Sequence, residues 1–226
     1  MKKISILSIL LLILLTTEIQ AKERWKSLKH ISQYPVSAFN LQEGIEYLDV
    51  RQYAVNEKNK LKRKSYKSVL SLYRTPLTSF DSKIVKKFHK LTPNISSKSN
   101  IVIHDIQSDG VGCHYLYNGF TIDDQGKILR MNMVEDIIGF LGEIDTPAEL
   151  QAVLWLNNKK SGDLYRKTSK GYEAIIEYED NGYCKKFKYK ATVNKKGEIT
   201  QYKLLKSKAL KHEECIHISW NPCDEN

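Results

Sequence analysis

The sequence predicts an α+β protein in which a helix packs on an antiparallel β-meander, arranged as two tandem similar modules stapled by disulfides. Three observations carry this: short alternating segments divided by turn residues, a sharply capped helix, and four cysteines in an exported context.

Taken in chain order, "MKKISILSILLLILLTTEIQA" places Lys2 and Lys3 before an apolar run from Ile4 to Leu15 and ends on the small residue Ala21. That is the three-part pattern of a cleaved secretory signal. The run is shorter than the roughly 20 apolar residues of a membrane span, so no transmembrane segment is expected after cleavage. The expected boundaries are a signal at 1–21, an N-terminal α+β module at 22–143, and a C-terminal helix plus four-stranded module at 144–226. The signal carries Lys2, Lys3 and Glu18, so its removal leaves +9 of the formal +10. A basic exported chain favours anionic partners.

Residues 41–73 read two ways: "IEYLDVRQYAV" fits a strand or a helix, and "NEKNKLKRK" a charged turn or an exposed helix end. In "SFDSKIVKKFHKL", Phe80, Ile84, Phe88 and Leu91 form one helical stripe while Lys83, Lys86, Lys87 and Lys90 face away. Ile101–Ile106, Cys113–Ile122 and Lys127–Met131 supply strands, and "MVEDIIGFLGE" a short helix between the halves.

Thr146-Pro147-Ala148-Glu149 is a capping box with proline at the first helical position, and Leu150, Val153, Leu154 and Leu156 follow at helical spacing. A helix over 147–157 is expected. Turn signals at 169–171, 180–182 and 194–197 then mark strands near 163–168, 171–179, 183–193 and 198–207. In the third, Phe187, Tyr189, Ala191 and Val193 alternate with Lys186, Lys188, Lys190 and Thr192, giving one buried and one basic face.

An offset of 71 residues aligns "CHYLYNGFTIDDQGKIL" from Cys113 with "CKKFKYKATVNKKGEIT" from Cys184. A duplicated module and a single continuous domain with two similar hairpins both account for it. The even count of Cys113, Cys184, Cys215 and Cys223 reads as two disulfides. Cys184 with Cys215 and Cys113 with Cys223 is the favoured pairing, and a local Cys215–Cys223 loop its competitor. On its strand, Cys113 shares a face with Tyr115, Tyr117 and Thr121, while Leu116, Phe120 and Ile122 point to the expected core.

The chemical constellations are thin. A nucleophilic Cys113 needs a base, and His114, adjacent on a strand, points to the other face. His212, Cys215 and His217 have zinc-compatible spacing, but an oxidising compartment favours the cysteine as a half-disulfide. Asp123 and Asp124 sit in a turn, where such side chains bond local backbone. No phosphate loop, serine elbow or calcium loop occurs, and no cofactor is indicated.

The expectation is a periplasmic or secreted, non-catalytic binding or inhibitor-like protein. Its partner would be an envelope or extracellular protein or an anionic polymer, not a specific nucleic acid. Tyr115, Tyr117, Lys186, Lys188 and Lys190 form the candidate binding set, weighed against a charged face that simply keeps the sheet soluble. Two readings stay open beside it: a cysteine-dependent hydrolase or redox enzyme centred on Cys113, and a structural envelope component.

Overall fold

Alternation of apolar and polar residues settles the ambiguous region as strand. In the computed structural model, which describes residues 24–55, 66–93, 100–106, 112–157, 162–180 and 184–211, "IEYLDVRQYAV" is β2 (Ile45–Val55). It follows a two-residue β1 (Lys26–Ser27) and two 3-10 turns, and pairs antiparallel with β3 (Lys67–Tyr73), Leu48 opposite Leu72 and Val50 opposite Leu70. The signal pattern at 1–21, the charged run 56–65 and the candidates His212, Cys215, His217 and Cys223 lie outside the described residues.

The remaining elements are a third 3-10 turn (Leu77–Ser79), α1 (Ser82–His89), β4 (Asn100–Ile106), β5 (Gly112–Asp123), β6 (Ile128–Met131), α2 (Val134–Gly139), α3 (Pro147–Leu156), β7 (Leu164–Thr168), β8 (Gly171–Asp180), β9 (Lys185–Asn194) and β10 (Ile199–Ala209). They build two antiparallel sheets. The first has the order β3-β2-β5-β4, with β6 also on β5; the second is β1-β7-β8-β9-β10, its last four strands the expected meander.

The first sheet is covered on both sides. Phe88 of α1 packs with Tyr53, Leu116, Phe120 and Ile122 on one face, beside the half-buried Phe80, Ile84 and Leu91 of the expected stripe. The other face, where Tyr117 and Thr121 were expected to point outward, is also closed: Tyr117 is 6% and Thr121 0% exposed. The reason is a second helical layer, since Tyr117 meets the Trp155 ring of α3 edge-on at 5.3 Å. A strand sandwiched this way buries both sets of alternate residues.

Helix α3 lies between the sheets. Eight of its ten residues are buried, Glu149 and Gln151 among them, as expected of a helix enclosed on every side. One apolar cluster joins Leu48, Val50 and Leu72 of the first sheet, Leu150 and Val153 of α3, and Ala174, Ile176, Ala191 and Val193 of the second. The capping box forms as the sequence implied, Thr146 Oγ1 accepting from the Glu149 N–H at 3.2 Å. The Glu149 carboxylate accepts from the N–H groups of Asn40, Asp145 and Thr146 at 2.6, 2.9 and 3.0 Å, tying the segment before β2 to the helix.

The aligned hairpins adopt one turn. Asp123 Oδ1 accepts from the N–H groups of Gln125 and Lys127, and Asn194 Oδ1 from those of Lys196 and Glu198. Gly126 and Gly197 take φ of +75° and +80°, a conformation that favours glycine. The strand register agrees as well, Ile122 opposite Ile128 and Val193 opposite Ile199. Beyond the hairpins the wiring differs: β8 and β10 flank β9 on opposite edges, whereas β4 and β6 share the edge of β5 that β2 leaves.

Candidate functional site

The surface of interest is the outer face of the second sheet, turned away from α3. Strand alternation puts Ala174, Ile176, Ala191 and Val193 inward, and therefore Glu173, Glu177, Glu179, Lys186, Lys188 and Lys190 outward. The hairpin register sets Glu177 opposite Lys188 and Glu179 opposite Lys186. Lys188 Nζ donates to Glu177 Oε1 at 2.7 Å, Lys190 Nζ to Glu173 Oε1 at 2.6 Å, and Lys186 Nζ to Glu179 Oε1 at 3.5 Å. Arg166 of β7 adds a bond from Nε to Glu173 Oε2 at 2.6 Å.

These contacts set the protonation of the acids. Burial pushes the Glu173 carboxyl up, but the bonds from Lys190 and Arg166 outweigh it and hold the group below its usual value. For Glu177 the Lys188 hydrogen bond dominates over burial, with the same result. The basic stripe expected on β9 is therefore answered, lysine by lysine, by the β8 carboxylates Glu179, Glu177 and Glu173.

The next strand is not answered. In the β9–β10 register, Lys203 stands opposite Lys190, Lys206 opposite Lys188 and Lys208 opposite Lys186. All three β10 lysines are exposed, and among the described residues no carboxylate pairs with them. Opposed like charges destabilise a strand pair, so this column is held at a cost in stability. Leu204 and Leu205, each 45% exposed, lie between the lysines.

On the face toward α3, beyond the helix's cover, aromatic rings continue across three strands. Tyr178 stacks on Tyr189 at 6.0 Å with rings 4° from parallel, and Tyr189 on Tyr202 at 4.7 Å and 10°. Phe187 completes the group, 5.5 Å from Tyr178. Burial, with Tyr178 and Tyr189 adjacent, pushes the Tyr202 hydroxyl up to about 12.

The expected binding set is only partly assembled. Lys186, Lys188 and Lys190 share one face of β9; Tyr117 belongs to the other sheet and is buried against Trp155, so it does not line an exposed groove with them. Tyr115 and Cys113 lie in β5, their side chains outside the description. Cys184 directly precedes β9 with φ +48°, and it is not a free thiol. Its expected partner, Cys215, lies outside the described residues. A cleft of about 120 Å³ beside Phe39 and Leu72 is well below the size of a ligand pocket.

What the sequence reading missed was the acidic side of the pattern. "YEAIIEYED" sets glutamates among apolar residues as "KKFKYK" sets lysines, and the antiparallel β8–β9 register brings the two opposite each other. The chain matches no protein-family model, no curated protein and no solved structure.

Proposed function

We propose that this is an exported, non-catalytic binding protein that presents the lysine-bearing face and the β10 edge of its second sheet to an anionic partner. The observation that carries the reading is the column Lys203, Lys206 and Lys208, opposed by lysines and, among the described residues, left without counter-charge while the neighbouring row is neutralised. A surface needing charge only for solubility has no use for three opposed lysine pairs, because interspersed signs serve that end at less cost. A partner bearing carboxylates, sulfates or phosphates relieves the repulsion on binding and gains long-range attraction from the basic chain.

Cysteine pairing supports the rigidity of this surface. The Leu210 N–H donates to the Cys184 carbonyl at 2.8 Å, which brings the chain leaving β10 beside Cys184 shortly before Cys215. That placement favours the Cys184–Cys215 bridge, with Cys113–Cys223 as the second.

The test is elution of the exported protein from an immobilised sulfated polysaccharide. K203E/K206E/K208E should elute at much lower salt than K83E/K86E/K87E, which makes the same charge change at exposed lysines of α1. Equal elution of the two variants would reduce the interaction to net charge and remove the site.

A further inference from the structure

We infer that the outer edge of β10 accepts an extended acidic polypeptide strand, one alternating carboxylate and apolar residues, as a sixth strand of the second sheet. The inference rests on the anionic-partner reading and names the class of partner.

Three features of β10 select a strand over a flexible polyanion. First, β10 is an 11-residue strand at the end of the sheet order, and among the described residues nothing pairs with its outer side. A strand edge of that length offers a row of unused N–H and C=O groups to a second backbone. Second, the two faces of β10 make opposite demands. Lys203, Lys206 and Lys208 lie on the outer face, in register with the β9 lysines, while Tyr202 and Leu204 lie on the aromatic face opposite Ala191 and Tyr189. Only an alternating strand satisfies both, since its successive side chains point to opposite faces. Third, Leu204 and Leu205 are 45% exposed, and a sulfated or phosphorylated polymer gives them nothing to pack against.

The chain itself shows the complement. β8 answers the lysines of β9 with Glu177 and Glu179 on one face while Tyr178 stacks on the ring of Tyr189 on the other. A ligand strand repeating that alternation on the far side of β10 would give its lysines the counter-charges β8 gives Lys186 and Lys188. A second copy of this chain is a poor occupant, because antiparallel pairing of two β10 edges sets lysine against lysine. The bulges at Ile199/Gln201 and Leu204/Lys206 restrict the edge to ligands that follow its bend.

The experiment uses the full exported chain and fluorescent synthetic decapeptides: one with the sequence of residues 171–180, an isomer with its acids grouped at one end, and a version with proline at two alternate positions. The alternating peptide should bind at least about tenfold more tightly than either of the others, as expected when main-chain pairing supplies affinity and alternate side chains supply specificity. K203Q/K206Q/K208Q should abolish the difference, and the milder L205S should weaken only the alternating peptide, with circular dichroism reporting that both variants keep the fold. Equal binding of the alternating and grouped peptides, with sulfated polysaccharide still bound through the β10 lysines, would overturn the strand while leaving the anionic surface standing. Loss of binding to every anionic probe would remove both. Peptide binding seen only after E213Q/E214Q would assign the edge to the chain's own C-terminal segment, and a concentration-dependent dimer through β10 would assign it to a second copy; either result overturns the proposal.

Discussion

Arg51 Nε donates to Asp49 Oδ2 at 2.7 Å on the α1-covered face of the first sheet, with the arginine side chain 0% and the aspartate 6% exposed. The guanidinium lies 4.1, 4.6 and 4.7 Å from the ring centres of Tyr66, Phe88 and Phe120. Its Nη atoms donate to the Phe88 carbonyl at 3.3 Å, in the last turn of α1, where that oxygen also accepts from the Leu91 N–H at 3.2 Å. Ser71 Oγ donates to Asp49 Oδ1 at 3.0 Å, and Ser68 Oγ also donates to that oxygen. The pair therefore locks α1 to the sheet.

Removing one member leaves a buried charge alone. D49A is expected to lower unfolding free energy by about 3–5 kcal/mol, and D49A/R51M by less than D49A itself, because the double change removes both desolvated charges. Urea unfolding monitored by circular dichroism checks this. A double variant no more stable than D49A would show that the arginine acts through the ring contacts and the α1 carbonyls.

The twin turns separate in their surroundings. A Cβ at Gly197 would lie 2.4 Å from Ile138 Cγ2 and 3.4 Å from both Ile144 and Val153, whereas one at Gly126 would meet only Ile84. Both positions share the left-handed backbone, for which an L-residue costs about 1–2 kcal/mol. G126A should cost about that amount, since the end of Ile84 can swing aside. G197A should cost about 1–3 kcal/mol more through overpacking against α2 and α3. Thermal unfolding of the two variants side by side decides it; equal losses would mean that backbone strain alone sets the cost.

The second sheet was legible because its signals are local. Gly-bearing turns, the Thr146–Glu149 cap and strict alternation fix where each strand begins and which way it faces. The first sheet was less so. Leu116 and Tyr117 give no sign that both faces of β5 are covered, since the covering helices come from distant sequence. Arg51 looks like any polar residue of a half-exposed strand until α1 closes over it. For the candidate surface, Lys186, Lys188 and Lys190 were visible as a stripe, but their neutralisation depends on register with β8 and the bare column on register with β10. Those are long-range facts that a charge pattern in one strand does not contain.

Glu149 supplies a pH test. Burial pushes its carboxyl above the usual value despite the bonds from the N–H groups of Asn40, Asp145 and Thr146. A carboxyl whose folded pKa exceeds its unfolded one binds more protons when folded, so its contribution to stability falls as pH rises between those two values. Relative to E149Q, the native protein should lose stability as pH rises from the ordinary value of 4.5 through the raised one. E149A, which leaves the three N–H donors without their acceptor, should cost about 1–3 kcal/mol at neutral pH. Urea unfolding from pH 4 to 7 gives both results, and a pH-independent difference between native protein and E149Q would contradict the assigned shift.

On the proposed anion-binding reading, the glutamates of β8 should limit how strongly the second sheet attracts anions, and this can be reversed. Lys188 bonds Glu177 at 2.7 Å and Lys186 reaches Glu179 at 3.5 Å, pairs exposed enough that each contributes about 0–1 kcal/mol to stability. E177Q/E179Q should therefore fold normally yet release Lys186 and Lys188 to join the bare column on β10. Elution from the sulfated polysaccharide should shift to higher salt than for E43Q/E135Q, which changes net charge equally elsewhere, with a steeper salt dependence as more cations contact the ligand. Acid should act in the same direction on the native chain. The Glu177 carboxyl is held below its usual value chiefly by the Lys188 hydrogen bond, so its neutralising effect persists through the ordinary carboxylate range and is lost as pH falls through the depressed value. Because sulfates stay ionised there, retention of the native protein should rise in that window and that of E177Q/E179Q should rise less. Identical elution of the β8 variant and its charge-matched control would show that the glutamate row does not face the ligand.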